Sequence, residues 1–217
     1  MIQACIFDLD GVIVDTAKYH FIAWAQMAKD LGISFTEKEN ENLKGVGRME
    51  SLEYILSLGN VEKSDQEKTD LAQLKNEHYK QLISNINNEE ILPGVVSLLD
   101  ELKSSHIKIA LGSSSKNARG ILNALDLMKY FDVVVDGTDI TKSKPDPQVF
   151  TMGADQLKLS PSHIVVFEDA YNGIEAAKQG GFFAIGVGDE NELDNADVVI
   201  PGMADFNLNT LKQVASL

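Results

Sequence analysis

Two aspartates close an apolar run near the start of the chain: Cys5-Ile6-Phe7-Asp8-Leu9-Asp10-Gly11-Val12. In a β-strand alternate side chains share a face, so Asp8 and Asp10 are expected to leave the strand end on one side. Carboxylates that close repel unless a cation sits between them or one carries a proton. A strand followed by an ordinary Asp-Gly turn would leave the same trace. A second acidic pair, Glu168-Asp169, follows another apolar run, Ile164–Phe167. Strand ends that bring carboxylates from two distant parts of a chain are what an oxygen-liganded magnesium site requires. Ser113 follows the apolar run Ile107–Leu111, and Lys144 stands beside Pro145. Each alone reads as a turn residue and a solvated lysine. His78, His106 and His163 have no metal-ligand spacing.

The elements that would position these residues are of two kinds. Residues 15–87 carry helical patterns and no convincing strand. Phe21, Trp24, Ala25, Ala28 and Leu31 share a helical face before Gly32. Thr36 with Glu39 forms a capping box for a short helix ending near Gly45, and Met49, Leu52, Ile55 and Leu56 form a third face before Gly59. Ser64 with Glu67 caps a fourth helix, along Leu71, Leu74, His78 and Leu82. From Pro93 the pattern alternates: strands at 107–111, 133–135, 164–167, 183–187 and 198–200, with helices between them and after the last. Such alternation predicts a parallel sheet covered on both faces, of the α/β class. Ligands in these sheets bind beyond the carboxyl ends of the strands. Asp8, Ser113, Lys144 and Glu168 all fall there. The expected organisation is a Rossmann-like core of residues 1–14 and 88–217, with residues 15–87 inserted as a helical domain.

Composition narrows the partners. The 217-residue chain has 33 acidic and 19 basic residues, a formal charge of −14. Such a surface repels nucleic acid and anionic membrane, so neither is expected as a partner. Arg48 and Arg119 are the sole arginines, so a phosphate-binding site must gather its cations at one place. Cys5 is the single cysteine, which excludes an internal disulfide and suits a reducing cytoplasm. No apolar run approaches transmembrane length.

Asp8-Leu9-Asp10-Gly11-Val12, Ser113, Lys144-Pro145 and Glu168-Asp169 resemble, in order, the four motifs of the haloacid dehalogenase superfamily of phosphotransferases. The inserted helices resemble that superfamily's cap. Within it the chain looks most like the β-phosphoglucomutases, on His20 to Trp24, Lys44-Gly45-Val46, Arg48, Ser51, Lys75-Asn76 and Ser115-Lys116-Asn117. The resemblance implies Asp8 as nucleophile and Asp10 as general acid and base, with His20 linked to Asp10. It implies Ser113 and Lys144 on the transferring phosphoryl group. Magnesium would be held by the Asp8 carboxylate, the Asp10 backbone carbonyl, and Glu168, Asp169 or both. Arg48, Ser115, Lys116 and Asn117 would grip the distal phosphate of a sugar bisphosphate, and Lys75 would take part in cap closure. Trp24, Gly45, Val46 and Ser51 complete the implied substrate wall, although Trp24 by itself reads as core. Ala170 departs from the serine expected beside the acidic pair, which removes a supporting hydrogen bond but no proposed ligand.

The implied activity interconverts β-glucose 1-phosphate and glucose 6-phosphate, primed by glucose 1,6-bisphosphate, with sugar phosphates as the partners. A monomer is expected, because a cap that opens needs a free face. Two other readings compete. A sugar-phosphate phosphatase would share the core residues and differ in the cap, where His20, Arg48 and Lys75 speak against it. A non-enzymatic phosphosugar sensor would need neither the nucleophile nor the metal ligands.

Overall fold

The computed structural model describes residues 2–215. Six parallel strands form one sheet in the order β3-β2-β1-β4-β5-β6. They are β1 (Ala4–Phe7), β2 (Lys108–Gly112), β3 (Val133–Val135), β4 (Ile164–Glu168), β5 (Phe183–Val187) and β6 (Val198–Ile200). The chain is thus an α/β protein with the expected parallel sheet. β1 lies at the centre, with Phe7 in register with Leu111 on one side and with Phe167 on the other. Strands buried on both faces read as continuous apolar runs, and β1 is buried throughout.

Alternation along β1 feeds two separate cores. Cys5 and Phe7 point to one face, where Phe7 stacks on Phe167 with ring centroids 4.7 Å apart. Helices α5 (Val95–Ser104), α6 (Ala118–Ala124) and α9 (Leu208–Val214) cover that face through Leu98, Leu99, Ile121 and Leu211. Ala4 and Ile6 point to the other, which α7 (Gln148–Leu157) and α8 (Tyr171–Gln179) cover through Val149, Phe150, Ile174 and Ala177. The strand order reverses at β1, so its carboxyl end opens a crevice between β2 and β4.

Between β1 and α5 the chain makes four helices: α1 (Ala17–Asp30), α2 (Glu37–Glu41), α3 (Arg48–Leu58) and α4 (Asp65–Leu82). Both expected capping boxes are present, at Thr36/Glu39 and Ser64/Glu67. This inserted helical layer has its own core of Trp24, Met27, Ala28, Leu52, Ile55 and Leu56. The connections in and out run side by side. Asp15 N–H donates to the Glu90 carbonyl at 2.8 Å, Leu92 N–H to the Ile13 carbonyl at 3.0 Å, and Tyr19 Oη to the Glu90 carboxylate at 2.6 Å.

Several helix faces differ from the hydrophobic pattern. On α4 Leu74 is exposed, and the buried stripe is Ala72, Lys75 and Tyr79. The stripe is set by packing against α1 and α3, and Tyr79 brings more apolar surface inward than Leu74 would. On α1 the buried residues are Ala23, Trp24, Met27 and Ala28, while Phe21 is only half-buried. Met49 at the start of α3 is exposed. α2 ends at Glu41 rather than near Gly45, because the chain turns over residues 42–45 to deliver Gly45 at φ +71°.

Gly94 opens α5 at φ +85°, and a Cβ there would meet the Met203 carbonyl oxygen at 1.9 Å. Gly94→Ala combines a left-handed backbone penalty with overpacking, and is expected to cost at least about 2 kcal/mol. For a domain of this size that lowers the melting temperature by roughly 4–8 °C, measurable by calorimetry.

Candidate active site

Strand pleating is not what brings Asp8 and Asp10 together. β1 ends at Phe7, and the chain then turns tightly, with Gly11 N–H bonded to the Val14 carbonyl and the amides of Ile13 and Val14 to the Leu9 carbonyl. Both aspartates nevertheless line one cavity between the sheet's carboxyl end and the helical layer. Behind them lies Lys144, its side chain wholly buried. Its Nζ donates to Asp8 Oδ1 at 2.5 Å and to Glu168 Oε2 at 2.8 Å. Burial works against this ammonium, but Asp8 and Glu168 outweigh it and raise its pKa. Lys144 and Glu168 therefore sit beneath the cavity floor, while Asp8 and Asp169 face it.

The acidic residues at the strand ends fit a hard divalent cation. Carboxylate oxygens of Asp8, Glu168 and Asp169 lie within 4.8 Å of one another. Burial pushes the carboxyl groups of Glu168 and Asp169 up, each with a contribution from Asp8. An oxygen-only donor set this crowded suits magnesium, whose charge offsets the repulsion. Asp10 turns its carboxylate away from these oxygens toward Thr16, whose hydroxyl donates to it. Its contribution to a cation would be the backbone carbonyl. Ala170 keeps one support that a serine would have shared: its N–H donates to Glu168 Oε1 at 3.2 Å.

Asp10 is held apart from the metal set electrostatically as well. Burial and the neighbouring Asp8 push its carboxyl up to about 6, against the Thr16 hydrogen bond. The His20 ring faces it, Nε2 3.9 Å from Asp10 Oδ1. Burial, with Lys75 and Arg48, keeps His20 well below the usual imidazole range, so it stays neutral. Lys75 Nζ lies 3.0 Å from His20 Nδ1. Where Lys75 is protonated it can only donate, so Nδ1 then accepts and the ring proton sits on Nε2, toward Asp10. Lys75 lies 4.3 Å from the Trp24 ring centroid, so Trp24 is both core and cavity wall.

The remaining expected residues converge on the same cavity. Ser113 is buried after β2, and its Oγ accepts from Ser115 N–H at 3.1 Å, which leaves its own proton to donate. Gly45, Val46, Arg48, Lys116 and Asn117 line the wall. Ser51 lines it too, but its hydroxyl is given to the Gly47 carbonyl at 2.9 Å. Away from the two connections, three hydrogen bonds among the described residues join the helical layer to the loops at the sheet's carboxyl end: Ser114 Oγ to the Gly45 carbonyl, Ser143 Oγ to Glu50, and Asn117 to Asn76. Thr16 and Tyr79 are not singled out by the sequence, and Asn76 enters there only as part of the Lys75-Asn76 match, with no role assigned to it. Tyr79 stands one helical turn after Lys75, a spacing that signals a shared face. Thr16 gives no such signal.

Burial, with Arg48 nearby, drops the Lys75 pKa from 10.5 to about 7. A depressed ammonium costs stability below its folded value and nothing above its unfolded one. Lys75→Met is therefore expected to raise the melting temperature most at or below pH 7, with the gain shrinking toward pH 10.5, in scans across that range. Gly11 has φ +80°, and a Cβ would fall 2.2 Å from Asp169 Oδ2. Gly11→Ala is expected to weaken magnesium binding by about tenfold or more, given that displaced supports of metal ligands cost 10–100-fold. Calorimetric titration of the metal checks this without turnover.

Comparison with known proteins gives the geometry a family. Residues 5–187 match the model of the haloacid dehalogenase-like hydrolases. The chain is 45% identical over 213 residues to a β-phosphoglucomutase of Bacillus subtilis, covering 97% of this chain and 94% of that one. It is 33% identical to a phosphorylated carbohydrates phosphatase of Thermotoga maritima, over 98% and 99% of the two chains. Among solved structures, a β-phosphoglucomutase of Clostridium difficile superposes with a TM-score of 0.96 at 42% identity, covering 100% of this chain and 98% of that one. Over most of its length and throughout its fold, the chain belongs to the haloacid dehalogenase-like hydrolase family.

Proposed function

We propose that this chain is a magnesium-dependent β-phosphoglucomutase, interconverting β-glucose 1-phosphate and glucose 6-phosphate by way of an aspartyl phosphate. The observation that carries the proposal is the different setting of two neighbouring carboxylates. Asp8 lies under an ammonium and beside the metal-type oxygens; Asp10 lies apart, with its carboxyl raised to about 6. Environments that separate two like groups assign them different parts in acid–base chemistry.

The Asp8 carboxylate oxygen not bonded to Lys144 attacks phosphorus, and the bond from phosphorus to the sugar oxygen breaks. Asp10 supplies the proton to that leaving oxygen. In the reverse half, Asp10 takes the proton from an attacking sugar hydroxyl as the phosphoryl group leaves Asp8. Ser113 donates to a phosphoryl oxygen, and Lys144 offsets the charge gathered during transfer. Asp8, the Asp10 carbonyl and Glu168, Asp169 or both would hold a divalent cation, which when bound would supply further charge neutralisation during transfer. The cycle starts with phosphorylated Asp8 and β-glucose 1-phosphate. It passes through β-glucose 1,6-bisphosphate, which turns over in the site and returns its other phosphate to Asp8. Glucose 1,6-bisphosphate from outside is the primer.

Residues 15–87 are assigned as the cap. An aspartyl phosphate exposed to water would hydrolyse, so the cap must close over sugar before transfer. The paired crossings near residues 13–17 and 84–91 suit a hinge. On closure His20 Nε2–H, now 3.9 Å from Asp10, would come within hydrogen-bond reach, with Lys75 behind it. Arg48, Ser115, Lys116 and Asn117 are assigned to the non-reacting phosphate. The enzyme is taken to act as a cytoplasmic monomer. The Thermotoga maritima relative favours a phosphatase as the second reading.

A coupled assay with magnesium, β-glucose 1-phosphate and a trace of glucose 1,6-bisphosphate decides between the two. Glucose 6-phosphate with little free phosphate is the expected outcome; free phosphate without isomerisation would establish the phosphatase. In the same assay Asp10→Asn should lose about 10²–10⁴-fold in turnover, the contribution typical of a general acid–base residue. Magnesium should still bind, since the ligand from residue 10 is a backbone carbonyl.

A further inference from the structure

Asn76 lies in the cavity wall on α4, and one of its atoms ties together two side chains from different parts of the fold. Arg48 Nη2, from the start of α3, donates to Asn76 Oδ1 at 2.8 Å. Asn117 Nδ2, from the loop before α6, donates to the same oxygen at 3.0 Å. A guanidinium has donors only, so it fixes the amide: the Asn76 oxygen must face Arg48. That in turn requires the Asn117 nitrogen, not its oxygen, to complete the pair. Two N–H donors thus converge on one partly buried oxygen, as they would on an oxygen of a phosphate.

We propose that Asn76 is a positioning residue for the non-reacting phosphate. Its amide oxygen holds Arg48 and Asn117 convergent and yields both to an incoming phosphate oxygen. A neutral amide suits this part. It is strong enough to preorganise the donors, which lowers the ordering cost of binding. It is also weak enough to lose to an anion, because charge-assisted bonds are roughly twice as strong as neutral ones. The Asn76–Asn117 bond also joins the inserted helices to the sheet, so arrival of the anion rearranges a contact between the two layers. The inference rests on the mutase reading only in naming the anion as the sugar's distal phosphate.

The test is calorimetric binding of glucose 6-phosphate to the full chain, with magnesium and without primer, alongside steady-state kinetics. Asn76→Asp keeps the shape but places a carboxylate on Arg48 and against the phosphate. It should weaken binding by about tenfold or more, with the melting temperature unchanged or raised, since like-charge juxtaposition opposes association strongly. Asn76→Ala removes the acceptor without adding charge. It should weaken binding by roughly threefold to fivefold, as an effect on KM rather than kcat. Asn76→Asp binding within about twofold of wild type, or Asn76→Ala binding more weakly than Asn76→Asp, would overturn the proposal. If Asn76→Asp does not fold, Asn76→Ala alone decides: raised KM at unchanged kcat supports it, and lost kcat at unchanged KM refutes it. A wild-type chain that binds glucose 6-phosphate without isomerising β-glucose 1-phosphate would instead refute the mutase reading and leave this comparison standing.

Discussion

A single buried ammonium holds the site together. Lys144 joins Asp8, just past β1, to Glu168, at the end of β4, from a loop that belongs to neither strand. All three side chains are almost entirely out of water. Taking a charge into an apolar interior is costly, and breaking such a pair leaves an uncompensated one behind. The loop before α7 is therefore fixed to the sheet's edge of carboxylates. The same bond leaves one Asp8 oxygen committed and the other facing the cavity. Asp169 and Asp8 then present oxygen atoms to the space above, an oxygen set that suits a divalent cation able to balance what Lys144 alone does not.

The inserted helices answer a different requirement. They have a core of their own, and their two connections to the sheet run side by side. They carry two cations toward an acidic floor, buried Lys75 and half-buried Arg48, neither paired with a carboxylate among the described hydrogen bonds and ion pairs. Burial depresses both. A layer built for stability alone would not place an ammonium among Trp24, Tyr79 and His20. The arrangement suits a site that is completed by anionic ligands, with instability in the empty layer exchanged for affinity in the occupied one.

Helix, strand and site were legible to different degrees. All six strands were marked by apolar runs between turn signals, and Val133–Val135, Phe183–Val187 and Val198–Ile200 fall where the runs do. Both capping boxes were visible because their partners lie three residues apart. The buried face of α4 was not. Apolar periodicity favoured Leu74, whereas contacts with α1 and α3 bury Ala72, Lys75 and Tyr79. Thr16 was equally hidden, since its hydrogen bond to Asp10 depends on a turn whose path no local pattern announces.

The sequence by itself determined the class of fold and the chemistry available: a parallel sheet, carboxylates at two strand ends, one lysine beside a proline, and too few arginines for more than one anion grip. These are properties of short segments, where spacing and side-chain type act within a few residues. Only the tertiary structure decided how identical groups come to differ. Asp8 and Asp10 are the same side chain two residues apart. One sits under Lys144, and the other is raised by burial and by its neighbour toward protonation at neutral pH. Likewise Lys75 is an ordinary lysine in sequence and a depressed, buried one in the fold. Desolvation and charge proximity act through space, and space is assigned by packing between segments that the chain order keeps far apart.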